Sequence, residues 1–339
     1  MSLSLLAIVQ TIQDELGLQR TAQVVNSTDL QTRQIFSLVN REGRETQQNY
    51  DWTALQTEYD LHVSQPIQTT GTVVQNNYSI FGIPTADLIG VTANNWVALG
   101  NNIPVGARIV GVGANSVALD MPASGSSTEI NLGTESGIGL TTESGILIGV
   151  GGSEPITLSR DTYPEPTDFD RFINETWWDR TNRWALLGPD SPQMDQWHRS
   201  GIVTIGPRRH FRQIGPASVN YRIWPPPGAL DTPIDLVFEY ITKNYVIGAD
   251  GTPKSSFTAD TDTTILDDNF FILGAKWRYF QIKGFDYASM QKEYIDYIDR
   301  SYGNDGGAKT LSLVPLRYTQ LVGSQQVPDG NWPGNASSN

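Results

Sequence analysis

A change of text at Pro66 constrains the fold more than any other feature of the sequence. From there to about Gly152 the chain carries one basic residue, Arg108, and no lysine. The run TTGTVVQNNYSIFGIPTADLIGVTANNWVALGNNIPVGARIVGVGANSVALDMPAS breaks short β-prone stretches with Gly, Asn and Pro turns. β-Branched and aromatic residues fit a pleated, half-buried surface, and Gly and Asn supply turn conformations. Such text predicts a small all-β domain, sandwich- or barrel-like, over 66–152. Within it GVGANS (111–116) is a GxG lacking its third glycine, and no helical pattern follows. It therefore reads as a β-turn, not a phosphate cradle. TESGIGL (134–140) and TESGILI (142–148) form a near repeat. Two copies indicate a hairpin or local duplication, since a solenoid needs at least three.

The flanking text has helical spacing. Leu5, Ile8, Ile12 and Leu16 mark one helix face, with Gly17 placed to end it. Thr28 and Gln31 form a capping box ahead of Ile35, Leu38 and Val39. In NYDWTALQTEYDLHV the apolar residues Leu55, Tyr59, Leu61 and Val63 shift toward period two and predict the first strand. After Glu154, ITLSRDTYPEPTDFDRFIN resumes strand-like text, and SVNYRIWPPPG and TPIDLVFEYITKNYVI add two strands. FTADTDTTILDDNFFILGAKWRYFQIKG leads into a helix, and Asp286 caps another, DYASMQKEYIDYIDRSYG. The expected fold class is α+β. A discontinuous core over 1–65 and 153–302 combines N- and C-terminal helices with a β-sheet portion. An all-β domain is inserted at 66–152, and an extended Gly-, Ser- and Pro-rich tail spans 303–339.

Composition excludes several chemistries. With no cysteine there is no disulfide, thiolate nucleophile or iron–sulfur cluster. The three histidines, His62, His198 and His210, show neither HExxH nor HxH spacing. No metal or other cofactor is expected, because a metal site would need carboxylates almost alone. No run approaches the roughly 20 apolar residues of a membrane span. The N-terminus lacks the basic region of a signal peptide and reads as a helix. Neither GxxxxGK[ST] nor GxSxG occurs. Asp195 and His198, three apart, read as a surface pair. The sequons at Asn26, Asn77, Asn174 and Asn335 read as chance. The net charge of −13 argues against tight binding to DNA, whose affinity comes from Lys and Arg releasing counterions.

Residues 172–201, FINETWWDRTNRWALLGPDSPQMDQWHRSG, contain four tryptophans, Trp177, Trp178, Trp184 and Trp197. Tryptophans beside Asp168, Asp170, Glu175 and Asp179 raise glycoside hydrolysis as a remote alternative. The acids alternate with Arg171, Arg180 and Arg183, which favours ion pairing around a partly buried segment. The cluster PRRHFR (Arg208, Arg209, Arg212) reads either as a contact for nucleic acid or an acidic partner or as a solvated, locally neutralised face. Taken singly, each tryptophan fits core packing; taken together, the segment reads as a structural hub near an interface, where Trp and Arg are favoured anchors.

TDFDRFINETWWDRTNRWALLGPDSPQMDQWHRSGIVTIGPRRHFR resembles the tailed-phage head-to-tail adaptor (connector) family. YRIWPPPG with DLVFEYITKNYV, FTADTDTTILDDNFFILGAKWRYFQIKGFDYASMQKEY and the N-terminal helices fit the same pattern. The match covers residues 1 to about 65 and 153 to about 315, and the 66–152 insert, itself similar to a small β-module of phage structural proteins, departs from it. The resemblance implies a non-enzymatic virion protein at the head–tail neck, assembled in the bacterial host cytoplasm. It implies a homo-oligomeric ring, a dodecamer, that binds the portal protein, extends the DNA channel and presents a platform for tail or nozzle proteins. Double-stranded DNA would pass without sequence-specific binding, and an acidic bore would repel its phosphates. A minor tail or tail-completion protein that binds through the β-insert is the alternative. Trp177, Trp178, Arg180, Arg183, Trp184, Trp197, Arg208, Arg209, Arg212 and Trp332 are the candidate portal or subunit contacts, and no catalytic residue is expected.

Overall fold

A computed structural model describes residues 2–127, 130–131, 149–150, 152–200, 209–215, 220–228 and 234–305. The near repeat at 134–148, Arg208, Trp332 and most of the expected tail lie outside them. Among the described residues the protein is mixed α and β. The helices are α1 (Leu5–Glu15), α2 (Leu30–Asn49), α3 (Pro192–Arg199), α4 (Asp268–Lys283) and α5 (Ala288–Asp305), accompanied by antiparallel strand pairs. The chain divides into two compact units. One takes the described residues within Met1–Tyr59, Pro166–Asn174 and Glu239–Asn339, and the other takes those within Asp60–Glu165 and Glu175–Phe238.

The first unit is mainly helical. Ser4 caps α1 by accepting from the Ala7 N–H, and Leu5, Ile8, Val9 and Ile12 are buried on the face that the spacing predicts. Gly17 beyond its end adopts φ +67°. α2 begins one residue later than the expected Thr28–Gln31 box. The Asp29 carboxylate accepts from the Thr32 N–H at 2.8 Å and the Thr32 hydroxyl at 2.7 Å. A carboxylate at a helix N-terminus also meets the positive end of the dipole, which favours Asp29 over Thr28. Gly284 ends α4 in the left-handed conformation, and the Ala288 N–H donates to Asp286 as α5 starts.

Close packing in this unit depends on two glycines. A Cβ at Gly43 of α2 would enter the Tyr245 ring, and one at Gly274 of α4 would enter the Glu42 carboxylate. Glu42 is fully buried and receives the Arg278 guanidinium and the Tyr294 hydroxyl. Arg278 also pairs with Glu45 at 2.6 Å. Around this node lies an apolar core that includes Ile8, Ile35, Val39, Phe270, Phe271 and Tyr245.

The second unit contains a six-stranded sheet in the order Trp96–Leu99, Glu154–Arg160, Ile67–Val73, Ser79–Phe81, Ser116–Leu119, Ile109–Val112. Its buried set, including Val73, Ile80, Trp96, Ala98, Ile109, Val117 and Leu158, forms a second core. The 111–116 stretch is a hairpin turn, with the Gly113 N–H donating to the Ser116 carbonyl at 2.8 Å. The unit extends beyond the limits that composition marks. Glu154–Arg160, assigned from its text to the α+β core, pairs along Ile67–Val73 (Ile67↔Leu158) and along Trp96–Leu99 (Val97↔Ser159). Composition registers where charge returns to the chain, whereas the strand's place is set by its hydrogen-bonding partners.

Candidate functional site

The tryptophan segment folds within the second unit, next to a three-stranded sheet of Thr162–Pro164, Asn220–Trp224 and His210–Ile214. Trp177 is 3% exposed. Its ring stacks on Phe211 at 4.3 Å and on Phe238 at 4.0 Å, with Tyr221 edge-on at 5.1 Å. A ring covered on both faces serves the core, and truncating such a side chain costs about 3–5 kcal/mol. Trp178 is half-buried in the short strand Trp178–Asp179, which pairs with Trp184–Ala185 on one side and with Leu236 and Val237 on the other. Arg183 adopts φ +61° at the turn between these strands and is exposed, as is Arg180, whose N–H donates to the Asp235 carbonyl. Trp184 and Trp197 are 41% and 42% exposed, so the four tryptophans divide between core and surface.

Ser191 opens α3 by accepting from the Met194 N–H, and Pro192 takes the first turn, where no N–H is needed. The helix turns Asp195 and His198 inward, each 6% exposed. The surface pair expected of them does not form. Asp195 instead takes Arg212 at 2.6 Å and Arg222 at 3.0 Å from the adjacent sheet, while His198 faces Asp190. Spacing of three does place both on one helix face, but that face is buried and guanidinium groups claim the carboxylate.

A chain of charges continues from there. Arg222 reaches Asp161 at 3.7 Å, and Asp161 pairs with Arg108 at 3.1 Å. Both partners of the last pair are under 10% exposed at the side chain. Burial pushes the Asp161 carboxyl up, against the opposing pull of Arg108 and Arg222, and burial lowers the Arg108 guanidinium. Arg199 pairs with Asp120, which also accepts the Arg108 N–H. The one basic residue of the 66–152 text is thus an interior charge. Arg209 donates to the Pro225 carbonyl at 2.6 Å and lies 3.8 Å from Asp179. Described members of the PRRHFR cluster are therefore neutralised but half-buried, not solvated.

Two clusters went unread in the sequence. Asp190, His198 and His210 bring one donor each within 4.8 Å of one another, and so do the exposed Asp60, His62 and Asp235. The first set is gathered from a loop, a helix and a strand, while in the second Asp60 and His62 share the strand Gln56–Val63 and only Asp235 comes from elsewhere. Among the described residues no helix is long and apolar enough to cross a membrane. In comparison with known protein families and with curated proteins, the chain matches none.

Proposed function

We propose that the protein is a structural, non-enzymatic head-to-tail adaptor of a tailed-phage virion. In this reading a homo-oligomeric ring, a dodecamer, sits beneath the portal, extends the DNA channel and carries the tail. One observation supports it above the resemblance itself. Within residues 184–197 four large apolar side chains, Trp184, Leu187, Met194 and Trp197, are 40–42% exposed. Exposed tryptophan and methionine, set on a frame fixed by paired Arg and Asp, are the materials of a protein–protein contact.

Two of the residues that raise the carbohydrate alternative are already engaged within the fold. Trp177 has both faces covered, and the Asp179 carboxylate accepts from the Asn182 N–H and side-chain amide, each at 2.8 Å. A second reading, a tail-completion protein binding through the β-insert, has its own support. Tyr78, Phe81, Val110 and Val112 of that region are 54%, 46%, 45% and 39% exposed.

Native mass spectrometry of the protein, alone and mixed with the portal protein of the same phage, tests the proposal. A ring-sized assembly, or a monomer that joins the portal stoichiometrically, is expected. A monomer indifferent to portal would sink the adaptor reading and turn attention to partners of the β-insert.

A further inference from the structure

We infer that Asp190, His198 and His210 form a binding site for a divalent transition ion of the zinc type. His198 comes from the buried face of α3, His210 from the strand His210–Ile214, and Asp190 from the loop that Ser191 closes ahead of α3. The Asp190 carboxylate lies between the two rings. One oxygen is 3.3 Å from His198 Nε2 and the other 3.2 Å from His210 Nδ1, and the ring centroids are 4.7 Å apart.

His210 Nδ1 and Asp190 are within hydrogen-bond distance, and both separations also suit donors gathered around one ion. Charge-assisted N–H···O bonds run at about 2.7–2.9 Å. Two ligands of one tetrahedral zinc, each bonded at about 2.0–2.1 Å, lie about 3.3 Å apart. His198 Nε2 is also buried and makes no hydrogen bond, although its side chain is 7% exposed and aimed at the carboxylate. A buried ring nitrogen left without a hydrogen bond forfeits solvation that a metal bond restores. Two imidazoles and a carboxylate are the donor set that suits zinc and its first-row neighbours. The Asp190 and His210 side chains are 11% and 22% exposed, which gives an ion a way in. Once bound, the ion ties α3 and the loop before it to the sheet beneath, and so fixes the element that displays Trp197.

The chain's histidine content makes the test decisive. There are three histidines, and His62, in the other cluster, is 75% exposed at the side chain and can be replaced without strain on the fold. In untagged full-length His62→Gln, chelator-stripped and titrated with zinc, the expected result is one ion per chain at micromolar zinc. X-ray absorption of that complex should then show two imidazoles in the metal shell, which only His198 and His210 can supply. His210→Gln in the same background, with near-ultraviolet circular dichroism confirming the fold, should weaken binding by about tenfold or more. No stoichiometric zinc, a shell with fewer than two imidazoles, or unchanged affinity in the folded His210→Gln protein would each overturn the site.

Discussion

The two units bury charge in opposite ways. In the helical unit the Glu42 node, with Arg278 and Tyr294, sits inside an apolar core whose fit depends on bare backbone at Gly43 and Gly274, and Asp262 with Lys254 forms a separate buried pair. In the β unit the region from Thr162 to Trp224 is held by a succession of charges, Arg108, Asp161, Arg222, Asp195 and Arg212, with a single apolar sandwich around Trp177. The first design is governed by volume and the second by pairing. A volume-governed core fails when an atom is added or removed, and fails equally at any salt. A paired core fails when one partner is lost, because a buried charge without its counterion costs more than the pair contributed.

The largest effect should come from breaking the pairing. Arg108→Met takes from the buried Asp161 carboxylate its nearer counter-charge, leaving Arg222 at 3.7 Å, and is expected to cost about 3 kcal/mol. Arg108→Met with Asp161→Leu should recover much of that loss, since an apolar replacement of a buried pair is often close to neutral. Urea unfolding gives the energies, and amide hydrogen exchange over residues 154–164 and 220–224 shows whether the damage is local. No recovery in the double substitution would mean that Arg222 and Asp195 depend on the pair as well. Next in size is Gly43→Ala, where a methyl group meets the Tyr245 ring. Overpacking of this kind costs about 1–3 kcal/mol, and here it should be independent of salt.

The same contrast explains what the sequence disclosed. Helix spacing located Leu5, Ile8, Ile12, Ile35, Leu38 and Val39 correctly, because an amphipathic stripe is a local signal. The turn at 111–116 was equally local. The capping box missed by one residue, since Thr28 and Asp29 are both competent caps and only the geometry chooses. Strand Glu154–Arg160 reads as core text because partners at positions 67 and 97 leave no mark on its own residues. Asp195 and His198 were read as a pair because sequence shows spacing but not the Arg212 and Arg222 that intervene. The Asp190, His198 and His210 cluster was invisible for the same reason.

A third prediction uses acid. Burial would raise the Asp262 carboxyl, but N–H donors from Thr258 and Ala259, both at 2.8 Å, and the Lys254 ammonium at 2.9 Å hold it below its usual 3.8. A carboxyl with a depressed folded-state value contributes stability that is complete above the unfolded value and is lost as pH falls through the folded one. Asp262→Asn should therefore lower the melting temperature near neutral pH and flatten its fall between about pH 5 and pH 2. An unchanged acid slope would place the acid sensitivity of the helical unit elsewhere.

The smallest effect on stability should accompany the largest on assembly. Trp184 and Trp197 are part-exposed, so Trp184→Ser and Trp197→Ser should each cost only about 1 kcal/mol of unfolding energy, well below the loss expected at Trp177. If the 184–197 surface is an adaptor contact, each should nonetheless weaken ring formation or portal capture by about 2 kcal/mol or more, as truncated interface anchors do. Sedimentation velocity with and without portal separates the two quantities. A Tyr78→Ser, Phe81→Ser protein serves as the control on the β-insert. Loss of assembly only in the tryptophan variants fits the adaptor reading, and loss only in the control fits a tail-completion role. The comparison between units turns on the same experiment: Trp177, a few residues away on the same segment, should behave as core, costing stability first and assembly only as a consequence of unfolding.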